Sequence, residues 1–222
     1  MASLLNDDIK QQVREVFADL KEPVEILFFG QAEDCDYCDD TRQLVEEVGE
    51  LSDSISVSTF DLNKDSDIAK KFNVDKAPGI LIGGKNETHV IDYGIRYAGI
   101  PSGHEFSSLI QDILMVSSQD SGLSEAAREF LKNLDEPVHL QVFVTPTCPY
   151  CPRAVVLAHR LAFESPKVQA EMIEATEFPM LSSKFGVSGV PDTSINHGKS
   201  KVVGAVPEDH LLEEIKRVVS GS

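Results

Sequence analysis

The sequence predicts an α/β protein of two tandem units, each a central mixed β-sheet flanked by helices. First, all four cysteines fall into two Cys-x-x-Cys tetrapeptides, Cys35-Asp36-Tyr37-Cys38 and Cys148-Pro149-Tyr150-Cys151. Second, each is followed by a related segment, Lys71-Phe72-Asn73-Val74-Asp75-Lys76-Ala77-Pro78 and Lys184-Phe185-Gly186-Val187-Ser188-Gly189-Val190-Pro191. Cysteines and prolines recur at one offset, 113 residues, and a shared offset across unlike segments marks a duplication. Third, strand-length apolar runs alternate with segments of helical period in both halves.

In the first half, Leu5, Ile9, Val13, Val16, Phe17 and Leu20 recur at helical spacing. Glu22-Pro23 stops that helix, because a residue before proline avoids the helical region. Val24 to Gly30 reads as a strand buried on both faces. After a loop and Cys35, an amphipathic stretch runs through Leu44, Val45 and Val48 to Gly49. Ile55 to Phe60 is the next strand and Asp65 to Phe72 a short helix. Ile80–Ile82 and Val90–Tyr93 read as a hairpin turning at Gly83-Gly84-Lys85-Asn86, and Gly103 to Val116 as the closing helix.

The second half repeats the order. Glu125 to Leu134 is helical, and Glu136-Pro137-Val138 echoes Glu22-Pro23-Val24. Val138–Val144 is a strand, Cys151–Phe163 a helix, and Val168–Ile173 and Thr193–Ile195 are strands. Asn196-His197-Gly198 turns a hairpin, since Asn and Gly tolerate positive φ. Pro207–Val219 is the last helix. The polar stretch Ser117 to Gly122 reads as a linker, which places the units at 1–118 and 119–222.

The chain of 222 residues suits two units of ordinary size. A formal charge of −17 leaves no basic patch for nucleic acid and disfavours anionic membranes. No apolar run approaches the ~20 residues of a membrane span. The first residues lack a basic start and apolar stretch, so a cytoplasmic setting is expected. There, paired cysteines point to catalysis or metal binding rather than structure. One shared Cys₄ zinc site fits poorly with pairs lying in separate units, so no metal is expected. The histidines show no metal spacing. His89, His104, His159, His197 and His210 read as surface residues. His139 lies in a strand where the first copy has Glu25, either as a proton shuttle under the dithiol or as a polar strand end. No phosphate-cradling glycine loop is present, so no cofactor is expected and nicotinamide or flavin belongs to a partner.

A strand, a Cys-x-x-Cys opening a helix, and then Ala77-Pro78 or Val190-Pro191 before the next strand together resemble the thioredoxin fold. Cys148-Pro149-Tyr150-Cys151 is similar to a glutaredoxin motif. Two such units, with Tyr93 to Pro101 between the first hairpin and helix, resemble the tandem protein disulfide oxidoreductases of archaea and some bacteria. The resemblance implies a cis proline facing each dithiol, with Ala77, Pro78, Val190 and Pro191 binding an extended substrate. It also implies client proteins as partners and a thioredoxin-reductase-like flavoenzyme as electron source.

Disulfide exchange needs an accessible thiolate, which a helix N-terminus stabilises. With Cys148 as N-cap, Pro149 falls at the first helical position, where its missing N–H is harmless. Cys148 then attacks and Cys151 resolves, and Cys35 and Cys38 take the same roles. Asp34, Asp36, Asp39 and Asp40 crowd Cys35, whereas Arg153 is the charge nearest Cys148, so the C-terminal site is expected to dominate. The main reading is an enzyme that reduces, forms or isomerises protein disulfides. The alternatives are a dedicated electron carrier to a peroxiredoxin or ribonucleotide reductase, and a redox-inactive peptide-binding chaperone.

Overall fold

The computed structural model describes residues 3–221; Met1, Ala2 and Ser222, which the sequence assigned to the two units, lie outside the described residues. The first half runs α1 (Asp7–Phe17), β1 (Val24–Gly30), α2 (Cys38–Gly49), β2 (Ile55–Asp61), α3 (Ser66–Lys71), β3 (Gly79–Lys85), β4 (Val90–Ala98), a 3₁₀ turn (Gly103–Glu105) and α4 (Phe106–Ser118). The second runs α5 (Glu125–Lys132), β5 (Val138–Val144), α6 (Cys151–Glu164), β6 (Val168–Glu174), α7 (Pro179–Lys184), β7 (Asp192–Ile195), β8 (Ser200–Val203) and α8 (Glu208–Ser220). Asn6 and Ser124 cap α1 and α5, their side chains accepting from the N–H groups of Ile9 and Ala127.

The strands form one eight-stranded sheet in the order β2-β1-β3-β4-β6-β5-β7-β8. Each half therefore contributes four strands in equivalent order. The sequence indicated a sheet in each half; the structure adds that β4 and β6 pair in parallel from Ile95–Ala170 to Ala98–Ile173, joining the two. Side chains alternate across each strand. Ile26, Phe28, Ile80, Ile95, Leu140 and Val142 pack with α1, α2, α4, α5, α6 and α8 in one continuous core. On the other face, Leu27, Phe29 and Leu81 lie under α3, and Ala98, Phe143 and Ile173 under α7.

Two local expectations change. The first hairpin turns at Asn86–His89, where Asn86 Oδ1 accepts from the N–H groups of Thr88 and His89. Gly83 and Gly84 remain in β3, paired with β1 and β4, and a Cβ at Gly83 would lie 2.6 Å from the Ile91 carbonyl oxygen. β4 then continues past Tyr93 through an irregularity at Gly94 (φ +77°) to Ala98. The expected linker begins inside α4. Ser117 Oγ is buried, donating to Glu22 O and accepting from the Lys21 and Glu22 N–H groups. Ser121 is buried too, its hydroxyl on Glu164.

Candidate active site

β1, β4, β5 and β6 run in parallel, so their carboxyl ends share one edge of the sheet. Cys35 and Cys38 follow β1 at that edge, and Cys148 and Cys151 follow β5. Each pair is closed as a disulfide, with Cα–Cα distances of 5.4 and 5.5 Å. β1 and β5 are four strand positions apart, roughly 19 Å at the usual inter-strand spacing. The four sulfurs are therefore too far apart to share one metal ion.

α6 starts at Cys151, as the sequence indicated, but its N-cap lies two residues later than Cys148. Tyr37 and Tyr150 occupy the N-cap positions, and Cys38 and Cys151 are the first helical residues. Cys148 is not the N-cap, because its N–H is held by Thr145 O at 3.1 Å in a preceding turn. The same placement accommodates Pro152, the residue after Cys151. It stands second in α6, where a backbone N–H has no intrahelical partner in any case. Both dithiols still lie at the positive end of a helix dipole.

In each pair the first cysteine is the more exposed. Cys35 is half-buried against 8% exposure for Cys38, and Cys148 is 8% exposed against 0% for Cys151. Cys148 is thus more covered than an exposed attacker was expected to be. The Ala77–Pro78 and Val190–Pro191 peptides are both cis. Cys148 Sγ lies 3.8 Å from Val190 O, so the second dithiol and its proline segment meet. The carbonyls of Pro78 and Pro191 accept from the N–H groups of Gly99 and Gly204, at 2.9 and 2.8 Å. Both glycines have positive φ, +95° and +91°. Sequence reasoning did not single out this pair, although Gly99-Ile100-Pro101 and Gly204-Ala205-Val206-Pro207 follow corresponding strands. Tyr37 and Tyr150, one in each tetrapeptide, are large exposed side chains that sequence reasoning also did not single out.

Residues 99–105 link the two sites. Besides the Gly99 bond to Pro78, Ile100 N donates to Glu177 Oε1 at 2.7 Å and His104 N to Pro146 O at 2.9 Å. Pro146 lies two residues before Cys148. Burial, and then the neighbouring Glu174, push the Glu177 carboxyl up to about 7.

Two ionisable groups named from the sequence lie elsewhere. Glu25 and His139 are second in β1 and β5, at the end of the sheet opposite the dithiols. Glu25 accepts from Ser56 and Ser58 and pairs with Lys85. His139 is therefore a polar strand end and not a shuttle beneath the dithiol. His159 is not a surface residue. It is fully buried, with Nδ1 2.6 Å from Asp112 Oδ2, because α6 is covered by α4 as well as by the sheet.

Two Cys-x-x-Cys disulfides at helix N-termini on one sheet edge, each in a half with a cis proline, define the class: this is a thiol–disulfide oxidoreductase of the thioredoxin fold. A thioredoxin domain family model matches residues 138–217. The protein disulfide oxidoreductase of Aeropyrum pernix K1 superposes with a TM-score of 0.89 at 32% identity, covering 97% of this chain and 94% of that one. The NTD_N/C domain of the alkylhydroperoxide reductase AhpF of Enterococcus faecalis superposes with a TM-score of 0.86 at 25% identity, covering 95% and 99%. The AhpF component of the alkyl hydroperoxide reductase of Staphylococcus epidermidis is 30% identical over 175 residues, 79% of this chain and 31% of that protein. The chain thus spans about a third of the length of the curated relatives it matches. It belongs to the protein disulfide oxidoreductase family. Among the described residues, no helix is long and apolar enough to cross a membrane.

Proposed function

We propose that the protein exchanges disulfides with client proteins through two units, 1–118 and 119–222, and that the C-terminal dithiol carries most of the turnover. The observation that supports this best is the contact of Cys148 Sγ with Val190 O, which sets the sulfur beside the segment expected to receive a client backbone. In the reducing direction, the Cys148 thiolate attacks one sulfur of a client disulfide. A Cys148–client bond forms, and the other client sulfur leaves as a thiolate and takes a proton. Cys151 then attacks Cys148, closing their disulfide and releasing the second client thiol. Val190-Pro191 and Ala77-Pro78 offer backbone to an extended client by short strand pairing. A thioredoxin-reductase-like flavoenzyme resets the pair, and reversing the steps forms or isomerises disulfides.

In an insulin reduction assay, Cys148→Ser is expected to abolish most turnover, whereas Cys151→Ser retains attack and accumulates mixed disulfides. Near-parental reduction by Cys148→Ser would assign the work to the first site. The likeness to AhpF favours a second reading, a dedicated electron carrier to a peroxiredoxin. Rates far higher with a peroxiredoxin than with a panel of unrelated disulfide proteins would select it.

A further inference from the structure

The sheet face carrying α3 and α7 is bare at its centre. Each of these helices has six residues and reaches only the apolar patch beneath it. Between them lies a groove of about 1040 Å³, whose lining includes neither dithiol nor either cis proline. Strand register explains its polar floor. Arg96 on β4 faces Glu171 on β6, which faces Gln141 on β5, so one row across three adjacent strands is polar. The three side chains are exposed by 5% or less. His139, two positions before Gln141, points to the same face.

The groove reverses the charge balance of the chain. Six Lys and Arg line it against four Asp and Glu, whereas the whole chain has 20 against 37. The buried charges are matched, Lys76 with Glu171 at 3.0 Å and Arg96 with Asp92 at 2.6 Å. On the walls, Lys70 and Lys199 have no acidic partner among the described residues, and Lys184 lies over the Phe185 ring. On the floor, Gln141 Oε1 and His139 Nε2 are buried with no hydrogen-bond partner among the described residues. Burial, then the nearby His197 and Lys76, lower the His139 pKa to about 4, so its ring is neutral at pH 7 in a positive setting.

We propose that this groove binds an extended acidic segment of a partner protein. Carboxylates would meet Lys70, Lys184 and Lys199, and a backbone N–H would reach Gln141 Oε1, an acceptor that is costly to leave unpaired. A fully ionised polyphosphate supplies charge but no donor. The repulsion of a chain of charge −17 reaches only about a Debye length, about 8 Å at physiological salt, so the local cations decide.

The test uses the full chain with acetylated, amidated hexaglutamate as probe, and hexalysine and tripolyphosphate as comparisons. Binding is read by calorimetry at physiological salt and by NMR of the histidine rings. Hexaglutamate is expected to bind and hexalysine not. The combined Lys70→Gln, Lys184→Gln, Lys199→Gln variant should lose at least tenfold in affinity. With peptide bound, the His139 ring should shift and take up its proton at higher pH. Gln141→Leu should weaken the peptide at least threefold and leave tripolyphosphate unchanged. Undiminished binding by the triple variant, a His139 ring that does not respond, or tripolyphosphate that binds as tightly as the peptide would overturn the proposal. So would a dimer that the triple variant loses, since the occupant would then be a second copy. Insulin reduction should stay within twofold of the parent in every variant. This separates failure of the groove from failure of the dithiol assignment, and a large fall would show that the groove belongs to the disulfide site.

Discussion

The first cysteines of the two sites differ in ways that oppose one another. Cys35 is the more exposed, but Asp39 and Asp40 stand in the first turn of α2, with Asp34 and Asp36 beside it. The first turn of α6 has no acidic residue, and Arg153 follows Pro152. A like charge at ~7 Å and an effective dielectric near 40 costs a thiolate roughly 1 kcal/mol, less in salt. Several such terms outweigh a difference in exposure that slows access only a few-fold. In the reduced protein, iodoacetamide at pH 7 is expected to modify Cys148 faster than Cys35, by about tenfold, since each 1.4 kcal/mol is a factor of ten. Peptide mass mapping of a time course would check this, and equal rates would remove the electrostatic argument. The cysteines and prolines were legible because each motif occurs twice with one spacing. His159 was not, since burial of a single polar residue on a helix depends on what packs over it. The nearest signal was the wide apolar face of Ala154, Val155, Ala158, Leu161 and Ala162.

Gly99 and Gly204 hold equivalent places beyond β4 and β8, yet their surroundings differ. Both have φ near +90°, where a side chain is strained. A Cβ at Gly99 would lie 2.6 Å from Glu174 Cβ and 2.8 Å from Glu177 Oε1, whereas one at Gly204 meets nothing within 4 Å. Gly204→Ala should therefore cost only the backbone strain, ~1–3 kcal/mol. Gly99→Ala adds overpacking, about 1–3 kcal/mol more. Urea midpoints would measure the difference, and equal losses would mean that residues 99–105 yield freely around Glu177. Most strands were legible from apolar runs such as Val24–Gly30 and Val138–Val144. The outer half of β4 was not. Gly94 and Arg96 break the strand pattern, and 95–98 is held on both sides, by β3 across the irregularity at Tyr93 and Gly94 and by β6, seventy-odd residues along the chain.

Joining the halves along β4 and β6 seals ionisable groups from both into one apolar layer. Asp112 and Tyr97 come from the first half and His159 from the second, with Asp112 Oδ2 shared between the Tyr97 hydroxyl and His159 Nδ1. Burial, then Asp112, raise the Tyr97 pKa well above its ordinary value, so Tyr97 remains a donor. Glu105 lies beside this cluster, 1% exposed, with Ser108 donating to Oε2 and Oε1 unpaired. Burial raises its pKa from 4.5 to about 7 against the help of Ser108 and His159, and Asp112 adds to the rise. Below pH 4.5 the folded and unfolded chains both hold the Glu105 proton, and its contribution to stability is complete. Between 4.5 and 7 only the folded chain keeps that proton, so stability falls as pH rises, and above 7 the loss levels off. The full loss is on the order of 3 kcal/mol. Glu105→Gln keeps the shape and a partner for Ser108 but cannot ionise. The parent should therefore lose stability relative to this variant between pH 5 and pH 8, read as the difference between their urea midpoints. A difference that does not change with pH would mean that Glu105 is already ionised in the folded protein and that water reaches the junction of the two halves.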